Sequence, residues 1–321
     1  MKKHNFSAGP CILPQEVMQK AAQAVVELDN SGLSLIEISH RSPAFVEIME
    51  KATSLALELL GLEGKGYKAM FLQGGASQQF LNVAHNFLET KAGYANTGTW
   101  STKAIKEAKL LGEVVELSSS KDANFNYIPK GFDIPSDLDY LHITTNNTIF
   151  GTQYKVLPET TVPLISDSSS DIFSRSLDFS KFDLLYAGAQ KNMGPAGATL
   201  VVAKEDALGK VSRQVPSMLD YKIHADKDSM FNTPPVFAVY TSLLTLEWLK
   251  TKGGIAAIEK ENDAKAALMY GEIDRNPLFD GFAAIEDRST MNATFTLNAA
   301  ALKERFEAMA GEAGLNGING H

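Results

Sequence analysis

The sequence predicts an α/β protein: a large domain on a mostly parallel sheet flanked by helices, with a smaller α+β domain. Two observations lead there. Short apolar runs recur through the middle of the chain, at 67–72, 113–117, 140–143, 162–165, 182–186 and 199–202, most of them closed within two residues by Gly, Ser, Thr, Asn or Asp. Several lack strict alternation, as strands covered on both faces do. Helical segments such as 77–89 lie between some of them, and that alternation is the signature of a parallel sheet with crossover helices.

The elements outside the sheet follow in order. Residues 13–28 read as an amphipathic helix, with Pro14 near its first turn and Val17, Ala21, Ala24, Val25 and Leu28 on one face. A second helix starts at Ser42-Pro43, an N-cap followed by an N1 proline, and carries Phe45, Ile48, Met49, Ala52, Leu55, Leu59 and Leu60 as its stripe before Gly61. Beyond the sheet region a helix runs from Thr233 to about Lys252, with Pro234 and Pro235 at its start and Gly253-Gly254 at its end. Another follows from Ile255 to about Asp274. The alternation of Ala293, Phe295 and Leu297 predicts a strand over 291–298, and a last helix spans about 300–313. The division expected is a large domain over 14–253 and a small one made of 1–13 and 254–321. A lone strand and helix rarely complete a domain. A further segment is therefore expected beyond Gly320-His321.

Composition excludes several classes. The 321 residues are 44% hydrophobic and 21% charged, as in ordinary soluble domains, with a net charge of −8 and no basic run. Nucleic-acid partners want a basic stripe. The single cysteine, Cys11, excludes an internal disulfide and multi-cysteine zinc sites. The six histidines show no metal-binding spacing. No apolar stretch has the length of a signal peptide or a membrane span, so a cytoplasmic location is the default.

Five segments carry chemistry. In Ala187-Gly188-Ala189-Gln190-Lys191-Asn192-Met193-Gly194 a lysine stands at a strand exit among small residues, the setting that a Schiff-base lysine needs. A surface lysine in a Gly-rich turn fits the same residues. In Ile165-Ser166-Asp167-Ser168-Ser169, Asp167 closes a buried strand and points into the ligand crevice of a parallel sheet, where a carboxylate suits a pyridinium nitrogen. A helix N-cap is the plainer alternative. Gln73-Gly74-Gly75-Ala76-Ser77 opens a helix with free backbone N–H groups, a phosphate cradle or a generic tight turn. Trp100 lies in a small-residue loop, as a ring to stack on a planar cofactor or as core. Thr148 lies in a polar segment at a strand end, as a cofactor partner or a loop cap. Two further clusters are His40-Arg41, suited to an oxyanion, and Asn232-Thr233 before a predicted helix, where Thr233 also reads as an N-cap.

In this order along the chain, these motifs resemble the phosphoserine aminotransferase family, in the class V branch of the fold-type I pyridoxal-phosphate enzymes. The resemblance rests on His40-Arg41-Ser42, Gly74-Gly75-Ala76-Ser77, Thr97-Gly98-Thr99-Trp100, Asn147-Thr148, Asp167-Ser168-Ser169, Gly188-Ala189-Gln190-Lys191-Asn192 and Asn232-Thr233-Pro234-Pro235. It implies a seven-stranded sheet and pyridoxal 5'-phosphate as cofactor. It implies that Lys191 carries the cofactor and shuttles the proton, that Asp167 partners the pyridine nitrogen, that Trp100 stacks on the ring and that Thr148 lies near the phenolic oxygen. Ala76, Ser77 and Gln190 fall in its phosphate-binding set, with Asn232 and Thr233 reaching the phosphate of the neighbouring subunit of a homodimer. His40, Arg41 and His321 fall where the family binds the substrate's distal anion. The implied reaction converts 3-phosphohydroxypyruvate and L-glutamate to O-phospho-L-serine and 2-oxoglutarate, in serine biosynthesis and with ping-pong kinetics. A phosphorylated hydroxythreonine in pyridoxine biosynthesis is an expected second substrate. The family continues past the Gly-His with arginines for phosphate and α-carboxylate. Ser168 departs from relatives that often carry Met. Within the superfamily, a cysteine desulfurase or lyase would need a catalytic cysteine, and Cys11 beside Gly9-Pro10 is a poor candidate. A catalytically silent pyridoxal-phosphate-binding protein is the other alternative. A nucleotide-binding protein lacks its phosphate-loop motif.

Overall fold

Alternate residues of each central strand meet helices on opposite faces, which is why the apolar runs are nearly continuous. The structure, a computed structural model, describes residues 3–318. In chain order its main elements are β1 (His4–Asn5), α1 (Gln15–Val26), α2 (Pro43–Leu59), β2 (Tyr67–Gln73), α3 (Ala76–Phe87), β3 (Lys91–Asn96), α4 (Thr99–Ala108), β4 (Glu113–Ser119) and β5 (Tyr140–Thr144). A small hairpin of β6 (Asn146–Asn147) and β7 (Thr152–Gln153) precedes β8 (Leu164–Asp167), β9 (Leu184–Gly188), the single turn α5 (Ala189–Asn192) and β10 (Ala198–Lys204). Then come α6 (Tyr221–Asp226), α7 (Val236–Thr251), α8 (Gly254–Arg275), β11 (Phe279–Gly281), β12 (Phe295–Leu297), α9 (Lys303–Glu312) and β13 (Leu315–Asn316).

Seven strands form the central sheet in the order β2-β10-β9-β8-β5-β3-β4. All neighbours are parallel except that β10 runs antiparallel to both β2 and β9. One face packs Phe71, Leu141, Ile143, Leu185 and Leu200 with α2 and α7 residues such as Phe45, Met49, Val239 and Leu243. The other packs Met70, Tyr94, Ile165, Tyr186 and Val201 with α3 and α4 residues such as Phe80, Val83 and Ile105. The fold class and the seven-stranded sheet stand as expected. At the chain ends, β1 pairs in parallel with β13, His4 opposite Leu315. No helix among the described residues is long and apolar enough to cross a membrane.

Three local readings need correction. Trp100 is not in a loop: it is the second residue of α4. The backbone N–H groups of Thr97 and Gly98 both donate to Ser101 Oγ at 3.0 Å, so the turn caps itself and the helix starts early. The helix expected from Thr233 begins at Val236, with Pro235 as its N-cap, so Thr233 is not a cap. A residue before proline is pushed out of the helical region, and Thr233 and Pro234 both precede one. The strand over 291–298 shrinks to β12, because Ser289 Oγ takes the N–H groups of Met291 and Asn292, each at 2.9 Å.

Candidate active site

Four parallel strands, β3, β5, β8 and β9, end on the same side of the sheet, at Asn96, Thr144, Asp167 and Gly188. In open α/β sheets this is the edge where ligands collect. Thr144 and Tyr186 are the register partners of Asp167 on either side. Asp167 is therefore held by ladders on both flanks, at 4% exposure.

Lys191 is the third residue of α5, one turn beyond β9. Its Nζ donates to Thr148 Oγ1 at 2.7 Å and lies 4.8 Å from the centroid of the Trp100 ring. Burial pushes the pKa of Lys191 down, against the pull of Asp167, Cys11 and Asp171. Burial likewise pushes Asp167 up, opposed by Lys191 and by the Ser169 hydrogen bonds. The two groups thus lie within each other's field, each the other's largest compensating charge. A lowered pKa raises the share of neutral amine, the form that acts as nucleophile and base.

The supports around the pair are short-range and polar. Asp167 Oδ1 accepts from the backbone N–H of Ser169 at 3.0 Å and from its hydroxyl at 2.6 Å. Its Oδ2 receives no hydrogen bond among the described residues. Gly9 lies against the lysine stem: a Cβ there would come 3.1 Å from Lys191 Cγ. The start of α3 backs onto Gly188, whose Cβ would stand 3.3 Å from the Ala76 nitrogen. Ala76 and Ser77 open α3 after the exposed Gly75 N-cap, with their N–H groups in the unpaired first turn. Gln190 is half-buried beside the lysine, and its carbonyl accepts from Cys11 N at 3.1 Å.

Other expected residues fall elsewhere. Asn232 donates to Gln73 Oε1 at 2.8 Å, and Gln73 in turn donates to the Thr233 carbonyl. Both therefore border the Gly74–Gly75 turn, and no hydrogen bond, ion pair or ring contact among the described residues joins them to Lys191. His40 and Arg41 lie in the segment before α2, Arg41 exposed and His40 half-buried with an unpartnered Nε2. Among the described residues they too make no such contact with Lys191. His321 lies outside the described residues.

Three residues near the site were given no place there by the sequence. Cys11 stands close enough to Lys191 for their charges to interact, although burial pushes its thiol pKa up and so disfavours the thiolate. Asp171 and Arg175 form a buried ion pair, with side chains 1% and 9% exposed. Asp171 Oδ1 accepts from the Thr145 hydroxyl at 2.6 Å, and Arg175 reaches the Tyr154 carbonyl at 2.7 Å, so the pair ties the Asp167 turn to the β6–β7 hairpin. The four-residue spacing of Asp and Arg was the available signal. We expect Arg175→Met to cost about 3–5 kcal/mol in chemical unfolding, because Asp171 is left buried and unpaired.

The donor set fits pyridoxal phosphate. It offers an amine, a carboxylate with a free oxygen, an indole face whose Nε1 is buried without a partner, and open helix-start N–H groups. Comparison with known proteins agrees. The aminotransferase class-V family matches residues 3–314. A phosphoserine aminotransferase of Flavobacterium johnsoniae is 64% identical over 100% of this chain and 91% of its own length. That of Bacteroides fragilis is 52% identical over the same shares. The solved phosphoserine aminotransferase of Bacillus circulans subsp. alkalophilus superposes with a TM-score of 0.97 at 40% identity, over 100% of this chain and 90% of that one. The pyridoxal-phosphate-bound enzyme of Trichomonas vaginalis does so at 0.94 and 33%, over 100% and 92%. The chain belongs to the class-V aminotransferases and, among them, to the phosphoserine aminotransferase family.

Proposed function

We propose that the chain is a pyridoxal-phosphate-dependent phosphoserine aminotransferase, converting 3-phosphohydroxypyruvate and L-glutamate to O-phospho-L-serine and 2-oxoglutarate. The observation that carries it is the Lys191 amine, bonded to Thr148 over the Trp100 ring and coupled to buried Asp167. When bound, pyridoxal phosphate supplies an electron sink that loosens the bonds at an amino acid's α-carbon. Lys191 would hold the cofactor and move the proton at that carbon. Asp167, through Oδ2, would partner the pyridine N–H and keep the ring protonated. Trp100 would cover one face of the ring and keep water off it. Thr148 would orient the lysine amine. Ala76, Ser77 and Gln190 would hold the phosphate.

We further infer a homodimer with shared sites. Asn232 and Thr233 would extend to the cofactor phosphate of the partner subunit, and His40 with Arg41 would bind the substrate's distal anion across the interface. Arg with His suits both a carboxylate and a phosphate monoester, which one site must accept in turn. The unpartnered His40 Nε2 and the exposed Arg41 support this placement. The same reading takes 14–253 as the large domain and 1–13 with 254–321 as the small one, supported by the β1–β13 pairing. It also places the reaction in serine biosynthesis in the cytoplasm, with phosphorylated hydroxythreonine as a second substrate in pyridoxine biosynthesis.

The test is a glutamate-driven change in the visible absorbance of the pyridoxal-phosphate-loaded protein. Phosphohydroxypyruvate should reverse it with release of phosphoserine. A second arm uses the chain extended to the length of its relatives. A band that ignores glutamate in both arms would leave the silent cofactor-binding reading. Cys11→Ala is expected to keep the activity, which a desulfurase would not.

A further inference from the structure

Ser169 stands where three parts of the site meet. It is 2% exposed, two residues past Asp167 in the turn after β8. Its hydroxyl lies 2.6 Å from Asp167 Oδ1, and the same oxygen accepts the backbone N–H of Gly188 at 3.1 Å. Gly188 is the last residue of β9 and the N-cap of α5, which carries Lys191. A Cβ on that glycine would stand 3.3 Å from the Ala76 nitrogen at the start of α3 and 3.9 Å from Ser169 Oγ.

A serine hydroxyl has one proton to give. Gly188 N–H can only donate, so it occupies the serine oxygen as an acceptor. The one hydroxyl proton is then directed at Asp167. With the backbone N–H of Ser169, two donors converge on Oδ1 and leave Oδ2 without a donor among the described residues. Donors of this kind favour the ionised carboxylate and fix its rotation.

Resting on the proposed function, we infer that Ser169 is a positioning residue: its hydroxyl keeps Asp167 charged and aimed, and ties that carboxylate to the turn bearing Lys191. The other groups facing Asp167 are Lys191 from α5, Tyr186 from β9 and Asp171 from its own turn. Asp171 is already engaged by Thr145 and Arg175. Among the described residues, only Ser169 donates hydrogen bonds to the Asp167 carboxylate.

The test compares the parent with Ser169→Ala and Ser169→Cys, the thiol being a weaker donor of similar size. The first readout is the titration of the Asp167 carboxyl carbon by 13C NMR in the full chain without cofactor, the resonance being assigned with Asp167→Asn. Removing the hydroxyl should raise its midpoint, with Cys between Ala and the parent. The second is pyridoxal-phosphate binding followed by absorbance, where the dissociation constant should rise about tenfold in Ser169→Ala, as loss of a hydrogen bond to a charged group implies. If Ser169→Ala does not fold, a midpoint in Ser169→Cys above the parent's is the supporting result. A parental carboxyl midpoint in every variant that folds would overturn the role of Ser169. The NMR arm needs no cofactor, so failure of the parent to bind pyridoxal phosphate would count against the proposed function alone.

Discussion

Lys191→Met should leave a folded protein whose amino transfer falls by about 10⁴-fold or more, since in the proposed reaction one side chain would supply both the covalent tether and the proton carrier. Methionine keeps the apolar length that Gly9 packs against and removes only the amine. The stability of the cofactor-free protein should move the other way. The folded-state pKa of this lysine lies below its ordinary value. Its burial penalty is therefore fully present at pH values below the folded pKa. The penalty fades as pH rises through that value towards the unfolded one, because there the unfolded chain holds the proton and the folded one does not. Lys191→Met should thus be at its most stable relative to the parent below the folded pKa of the lysine, and the gap should narrow as pH rises towards the ordinary 10.5. Urea unfolding at several pH values reads this directly. A gap that widens with pH would contradict the buried-ammonium picture.

Asp167→Asn should cost about 10²–10³-fold in turnover, the scale of losing one preorganised charge at a reacting centre. The substitution is nearly isosteric. The amide oxygen can still accept from the Ser169 N–H and hydroxyl, so the turn is expected to hold. What disappears is the negative charge that would partner the ring nitrogen in the proposed reaction and that offsets the Lys191 ammonium. Two results should come together: a large fall in turnover, and a further fall in the proton affinity of the free lysine, read from the pH dependence of the rate at which pyridoxal phosphate adds to the cofactor-free protein. Turnover within threefold of the parent would remove Asp167 from the mechanism.

The sheet was legible because its strands are apolar on both faces and end in small polar residues. β3 was hardest, since Lys91-Ala92-Gly93-Tyr94-Ala95-Asn96 has little β-propensity. Packing explains its composition: a Cβ on Gly93 would come within 2.8 Å of Leu138 and Leu117 side chains. The antiparallel sense of β10 left no mark, because a strand buried on both faces reads alike in either direction. At the site, Lys191, Asp167 and Trp100 could be picked out by their place at strand exits. Asp171 and Arg175 left only their four-residue spacing and Cys11 no local mark, because their places near the site come from contacts with other segments. Gln73 meets Asn232 and Thr233 across about 160 residues of chain, a separation no local pattern encodes.

The reversed strand β10 has a consequence for tolerance to change. It is zipped to β2 and β9 along its length, and Gly74 N–H also bonds the Gly197 carbonyl at 3.2 Å. The spacing between the amine and the Gly74–Gly75 turn is therefore a rigid gauge set by backbone rungs, insulated from the surface connections. Insertions between β10 and α6 should leave that gauge intact. A single-residue deletion inside β10 would swap its inward and outward side chains and drag the turn after Lys191 out of alignment.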